Sequence, residues 1–323
     1  LKHSSERELR GLYTSSNEAS FKSEKVIKYE NLGEPTLIRH KTGGRAPTLD
    51  EWTEEFIRRR DLREEFEGLP EEITLEIESK EPIIIATLGD IHAGGKELDY
   101  ELLREDVRFI AAHPNAYAIL GGDLIDGFFF NPAQDQQVAS WNEQRMFIRS
   151  ILDELDGKIL FFIEGDHDMW AGKMGGTIYD QIRDEFGAEV VRGSTRVNLH
   201  LPDVHYKMVA AHQLPGHSIY NDTHPEIRES KFGTQGADIY IGFHTHKKAI
   251  HKQVIQTFDE CKEQLFVSSG PYKYSDDYSK KKGWGIQGKA KRGSVFIVLY
   301  PFVKRMDAYY TRQEAADTFI RSV

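Results

Sequence analysis

The chain has 323 residues, 29% of them charged and 39% hydrophobic, and its 52 Asp and Glu against 42 Lys and Arg give a formal net charge of −10. That length suffices for one large or two modest domains with a sizeable core, and the acidic balance excludes a surface built as a whole to attract nucleic acid. One cysteine, Cys261, excludes an internal disulfide framework and a thiolate-based zinc site, and no apolar run reaches the ~20 residues that span a bilayer; the expected location is cytoplasmic and non-secreted, with phage or virion association as a variant of it.

Residues 1–49 are polar, with scattered basic groups (Lys2, Arg7, Arg10, Lys22, Lys25, Lys28) and little periodicity, and read as an arm or irregular wrap. Thr48-Leu49-Asp50-Glu51 then opens a helix in capping-box form, with Glu51 three residues after Thr48. Trp52, Phe56 and Ile57 start an apolar edge that Leu62 and Phe66 continue. Two readings stand for residues 1–80: an appendage that binds a protein partner or a second copy, or a helix packed on the main domain.

From Glu81 strands alternate with helices, the pattern of an α/β fold. Ile83 to Leu88 is an unbroken apolar run, as expected of a strand covered on both faces. Asp90 and His92 follow where it runs out, two residues apart and so on one side of an extended backbone. Alone, such a pair is more often an ordinary loop. A helix is expected over 97–112, with Leu103, Val107, Ile110 and Ala111 on one face. A second buried strand, Ala116–Leu120, ends in Gly121-Gly122-Asp123-Leu124-Ile125-Asp126. A helix over 133–156 leads to a third strand, Ile159–Ile163, which ends in Gly165-Asp166-His167-Asp168. A short helix is expected over 177–186, with Thr177 as its cap and Ile178 and Ile182 inward.

The second half is richer in strands. Arg196–Leu201 and Val204–Ala211 read as a hairpin that ends in His212, and Asp238–Gly242 leads to Phe243-His244-Thr245-His246. Further strands are expected at 264–269, 294–299 and 305–309. The domain division expected is 1–80 as appendage, 81–310 as the α/β domain and 311–323 as a tail.

Asp and His groups thus recur where strands stop, the place open α/β sheets offer to ligands. The candidate metal donors are Asp90, His92, Asp123, Asp166, His212, His244 and His246. Oxygen and imidazole donors without a thiolate suit Mn, Fe, Zn or Ni. Seven donors exceed one tetrahedral ion and match two ions that share a bridging carboxylate. Gly89, Gly122 and Gly165 precede three of the carboxylates and would let the backbone turn sharply there.

These blocks resemble the calcineurin-like metallophosphoesterases, whose pattern is D-x-H, G-D-x-x-D, G-N-H-D/E, a lone H and G-H-x-H. Here they stand in order as Asp90-Ile91-His92, Gly122-Asp123-Leu124-Ile125-Asp126, Gly165-Asp166-His167-Asp168, His212 and Phe243-His244-Thr245-His246, over roughly residues 83–250. The resemblance implies a four-layer α/β/β/α sandwich, here with an N-terminal extension, and two divalent ions, Mn foremost and Fe, Zn, Ni or Mg as alternatives. By it Asp90, His92 and His246 hold one ion, Asp123 bridges, and Asp166, His212 and His244 hold the other. His167 protonates or stabilises the leaving group and Asp168 orients it. Asp126 is expected to accept a hydrogen bond from a ligand His rather than to bind metal.

Two positions depart from the pattern. Phe243 replaces a Gly and is expected to narrow the groove. Asp166 stands where the family has Asn, which lowers the charge of the centre by one unit. That charge ~5 Å from a substrate phosphate, at an effective dielectric of ~20, costs about 3 kcal/mol, roughly a hundredfold in rate.

The function expected is hydrolysis of a phosphoric ester by metal-activated hydroxide, most simply a phosphodiester of DNA, RNA or a nucleotide. Within the family the resemblance leans to the nuclease-like branch found among DNA-repair exonucleases and phage-encoded proteins. The alternatives are a phosphomonoesterase or protein phosphatase and, from another class, an assembly protein that keeps the metal fold as a scaffold. Phe128, Met169-Trp170, His217, His224, and Lys282 and Trp284 in a basic Gly-rich stretch are the candidate substrate contacts; an apolar wall and solvated loops account for them equally.

Overall fold

The computed structural model describes residues 48–67, 71–127, 137–172, 185–256, 261–274 and 291–321. The chain divides into two compact units, residues 1–68 and 69–323. In the first, helix α1 (Leu49–Glu67) opens on the expected capping box: Glu51 N donates to Thr48 Oγ1 at 3.2 Å and Thr48 N donates to Glu51 Oε2 at 2.8 Å. Two of the donors that a helix N-terminus leaves open are thereby satisfied. Trp52 stacks on Phe56, ring centroids 5.1 Å apart, and both are exposed along with Leu49 and Ile57. The side chains of Leu62 and Phe66, like residues 1–47, lie outside the described set.

The second unit opens with β1 (Glu72–Glu76), β2 (Ile83–Leu88), α2 (Tyr100–Ala112), β3 (Ala116–Leu120), α3 (Trp141–Glu154), β4 (Ile159–Ile163), α4 (Asp166–Gly172) and β5 (Glu189–Val191). It continues with β6 (Thr195–His200), β7 (His205–Ala211), α5 (His224–Phe232), β8 (Ile239–Gly242), β9 (Ala249–Gln256), β10 (Cys261–Ser268), β11 (Phe296–Leu299), β12 (Met306–Tyr309) and α6 (Arg312–Arg321). Two six-stranded sheets result, in the orders β12-β11-β2-β3-β4-β5 and β1-β6-β7-β8-β10-β9.

The β2 run lacks polar alternation because both of its faces are covered. Ile84, Ala86 and Leu88 pack under α2 and α3, against Leu103, Val107, Ile110, Ile148 and Leu152. Ile83 and Ile85 face the second sheet, where Val197, Met208, Ile239, Ile241 and Val267 complete the middle of the core. On the far side of that sheet Val209, Tyr240 and Phe266 meet Ile227 of α5. The layers are therefore α/β/β/α, as expected.

Several expected bounds shift for local reasons. The helix expected over 97–112 starts at Tyr100 because the Asp99 side chain caps Leu102 N at 3.1 Å. The one expected over 133–156 starts at Trp141, where Ser140 and Glu143 form a second capping box. Most of the helix expected over 177–186, including Thr177, Ile178 and Ile182, lies outside the described residues. β1 falls inside the stretch read as an appendage, yet pairs in parallel with β6 at Ile73↔Val197. α6 occupies the expected tail and buries Ala315 in the core of the first sheet. The second unit therefore begins before residue 80 and runs past 310. Among the described residues no helix is long and apolar enough to cross a membrane.

Candidate metal centre

The strand directions gather the donors. β2, β3 and β4 are parallel neighbours in one sheet, and β7 and β8 are parallel neighbours in the other. Their C-terminal ends carry Asp90 and His92, Asp123 and Asp126, Asp166 to Asp168, His212, and His244 and His246. The turns are tighter than an extended-strand reading allows. β2 ends at Leu88, and Asp90 (φ 48°), His92 (52°), Asp123 (50°), His244 (62°) and His246 (55°) all take left-handed backbone conformations. Five such residues, none of them glycine, are costly and persist only where the surroundings fix them. His244 N, for example, donates to Asp90 Oδ2 at 3.0 Å.

Of the three preceding glycines only Gly122 (φ 85°) turns the chain in the expected way. The others serve close approach. A Cβ on Gly89 would lie 2.5 Å from Phe243 Cδ1, one on Gly121 would lie 2.1 Å from Phe243 Cε1, and one on Gly165 would lie 2.0 Å from Asp123 N. Phe243 does not narrow the groove, contrary to expectation. Its ring is buried beneath the site and fills the space that Gly89 and Gly121 leave.

Among the described residues three donor groups form, each with its candidate ligand atoms within 4.8 Å of one another: Asp90, His92 and His246; Asp123, His212 and His244; and His92, Asp123 and His167. His92 Nε2 and His246 Nε2 face each other at 3.1 Å, and His246 Nε2 is 3.6 Å from Asp90 Oδ1. Asp123 Oδ2 lies 3.4 Å from His212 Nε2, 3.9 Å from His92 Nε2 and 4.0 Å from His167 Nε2. Asp166 stands at the rim, its half-exposed side chain 3.7 Å from His244 Nδ1.

The surroundings orient these rings. His212 Nδ1 is 2.7 Å from the Gly121 carbonyl, which turns Nε2 toward Asp123. Asp126 Oδ1 lies 3.3 Å from His92 Nδ1 and 3.0 Å from Lys273 Nζ, on the side of the His92 ring away from His246. The Asp126 carbonyl meets the His167 ring at Nδ1, and the Trp170 ring lies over it at 4.5 Å. Asp168 accepts from Leu124 N at 3.0 Å and Ile125 N at 3.2 Å and so clamps the Asp123–Asp126 turn.

Charge shows what the cluster is prepared for. Burial opposes ionisation of Asp123, but the His212 imidazole prevails and holds the carboxyl below the ordinary range. On His212 burial works against the proton, and Asp123 prevails to lift it to about 10. Burial, then the Lys273 charge, lowers His92 to about 4; burial, then His212, lowers His244. Anionic carboxylates beside neutral imidazoles are the protonation states a divalent cation needs, and a bound cation replaces the remaining proton. His212 Nε2 is buried with no hydrogen-bond partner. The residues present therefore fit a metal centre of hard and intermediate donors.

Of the other expected contacts, Trp170 borders the site. His217 is exposed on the loop after His212 and His224 opens α5; neither joins the three donor groups. Phe128, Lys282 and Trp284 lie outside the described residues. Lys273, buried and paired with Asp126, was missed by sequence reasoning. Its one signal is position: like the donors, it follows a strand end, that of β10.

No family model matches the chain. The DNA polymerase II small subunit of Thermoplasma acidophilum is 29% identical over 99 residues, which is 28% of this chain and 20% of that protein. The match thus spans about a fifth of its relative's length. Vacuolar protein sorting 29 from Cryptosporidium parvum aligns over 71% of this chain and 98% of its own, with 14% identity and a TM-score of 0.37. A metallophosphoesterase from Sphaerobacter thermophilus aligns over 74% and 94%, with 13% identity and a TM-score of 0.35. The order of the strands and the donors that this chain gathers at their ends carry the assignment: its fold is the calcineurin-like metallophosphoesterase sandwich.

Proposed function

We propose that this chain is a phosphoric ester hydrolase that works with two divalent ions, manganese foremost, and cleaves phosphodiesters of nucleic acid or nucleotides. The observation that supports this is the place of Asp123 Oδ2, which lies 3.4 Å from a histidine of one donor group and 3.9 Å from a histidine of the other, where a shared carboxylate is needed. Asp90, His92 and His246 would hold one ion; His212, His244 and Asp166 would hold the second; Asp123 would touch both. Bound there, the pair supplies a nucleophile at neutral pH and offsets charge on the phosphoryl oxygens.

The chain's own residues do the rest. His167 donates Nδ1–H to the Asp126 carbonyl, and when the ring carries a second proton, on Nε2, that proton can pass to the departing alkoxide or hydrogen-bond a phosphate oxygen. Asp168 keeps the Asp123 turn in register by accepting its backbone N–H groups. Against burial, His92 and then Lys273 hold Asp126 ionised, and Asp126 in turn steadies His92. Trp170, 45% exposed beside His167, offers a ring on which a base can stack. The relative named as a DNA polymerase subunit favours nucleic acid over other esters.

With added manganese the protein is expected to turn over bis-p-nitrophenyl phosphate faster than p-nitrophenyl phosphate, and chelation should stop both reactions. The reverse preference would mark a monoesterase. Bound metal with no turnover of either ester would favour the assembly reading, for which the exposed Trp52 and Phe56 of α1 are the supporting feature.

A further inference from the structure

Glu226 is the one acidic residue in the first turn of α5, and its side chain has no access to solvent. No hydrogen bond of good geometry closes on either carboxyl oxygen. A buried carboxyl left in this state is expensive and calls for an explanation. Its surroundings supply one. The carboxyl presses on the backbone of Gly242, where a Cβ would meet Glu226 Oε1 at 2.2 Å. Gly242 ends β8 and is followed by Phe243 and His244. Ser268 is the β10 residue paired with Gly242 in the sheet, which sets its hydroxyl beside the carboxyl; Glu226's own backbone N–H also acts on it, with Lys247 contributing charge from beyond.

Ser268 Oγ lies 3.2 Å from Thr245 Oγ1, and Thr245 is the residue between His244 and His246. Both histidines sit at positive φ, 62° and 55°. That turn is held by Asp90, which accepts from His244 N, by the bond from Thr245 N to Phe243 O at 2.6 Å, and by the bond from Ser269 N to Gly242 O at 2.8 Å. Strained backbone of this kind needs support on every side, and the side away from the cleft is the one that Glu226 and Ser268 occupy.

We propose that Glu226 is a positioning residue for the His244–His246 pair, acting from behind the cleft through Ser268 and Thr245 and against the Gly242 backbone. In its protonated form a small turn of the carboxyl would let it donate to Ser268 Oγ, leaving the Ser268 hydroxyl to donate to Thr245 Oγ1. Burial supports that form by pushing the Glu226 carboxyl up to about 8. The chain of donors fixes the rotation of Thr245, and with it the directions of the two imidazoles on either side.

This rests on the metal-centre reading, and the experiment separates the two. Manganese is titrated into the full chain after chelation and dialysis, with bound metal counted and the thermal midpoint of the metal-free protein recorded. Glu226→Leu removes a buried polar group, so the metal-free midpoint is expected to hold or rise, while manganese affinity falls about tenfold or more, as when a partner behind a ligand is lost. Glu226→Gln keeps the shape and an N–H donor and is expected to rescue affinity to within about threefold of the unaltered chain. Ser268→Ala, a small change that the fold should accept even where Leu at 226 is not accepted, is expected to weaken manganese binding in the same direction. Unchanged affinity in both Glu226→Leu and Ser268→Ala would overturn the proposal and leave Glu226 a structural burden alone. Failure of the unaltered chain to bind manganese would overturn the centre itself and this assignment with it.

Discussion

Asp166 is the donor with the most to say about rate. Its side chain is 42% exposed, so water screens it more than a buried carboxylate: with an effective dielectric nearer ~40, its repulsion of a phosphate ~5 Å away falls to about 1.5 kcal/mol. Asp166→Asn should therefore raise phosphodiester turnover about tenfold, less than the hundredfold estimated from sequence; a slower variant would show that the carboxylate is needed as a ligand. Lys273→Met should leave Asp126 without its cation and lower manganese affinity by about 10- to 100-fold, read by titration. Glu226 makes a separate prediction. Burial lifts its folded value to about 8, above the ordinary 4.5, against the pull of its own backbone N–H, the Ser268 hydroxyl and the Lys247 charge. The stability it contributes is then complete below pH ~4.5 and is lost as pH rises through ~8. Glu226→Gln removes that dependence, so between about pH 5 and 9 the variant should lose a few kcal/mol less stability than the unaltered chain. Equal slopes would contradict this. At this scale the donors were legible because each one ends a strand, a position that sequence pattern reveals. Lys273 and Glu226 were not, because what distinguishes them is burial, and a lysine or glutamate reads as surface until its neighbours are known.

The strand-end turns and what lies beneath them belong together. Phe243 fills the space over Gly89 and Gly121, and three elements, β2, β3 and β8, are fixed against one another by that ring. Gly121→Ala should overpack the spot and cost about 1–3 kcal/mol in denaturant unfolding, and Phe243→Gly should open a cavity and cost about 3–5 kcal/mol. Metal affinity should fall with both, because the turns carrying Asp90, Asp123 and His244 lose their common floor. A stability change below ~0.5 kcal/mol in either variant would mean that the ring does not hold the turns. The long apolar strands β2, β3 and β4 were plain in the sequence because burial on both faces suppresses alternation. β1 and β9 were not. β1 is five residues long with one buried side chain, Ile73, and β9 is an edge strand none of whose side chains is fully buried. Edges need few apolar residues and therefore leave little pattern to read. The capping box at Thr48–Glu51 was legible because it is local; the one at Ser140–Glu143 was masked by polar residues on its N-terminal side that suit a helix equally well.

At the scale of the whole molecule, two sheets stacked face to face bring five loops, far apart in the chain, to one end of the core. The sequence showed that these loops share a composition, and the resemblance implied that they converge; the distances within each donor group are what the three-dimensional arrangement adds. The chain carries a formal net charge of −10, so a polyanionic substrate would gain little from long-range attraction, and its binding would rest on the cations of the centre and on contacts such as Trp170. The proposed activity depends on those cations. Elemental analysis of the purified full chain, dialysed after incubation with manganese, should find about two ions per chain, and Asp123→Ala should reduce both. A chain that retains no divalent ion, or whose Asp123→Ala variant retains the same number, would contradict it.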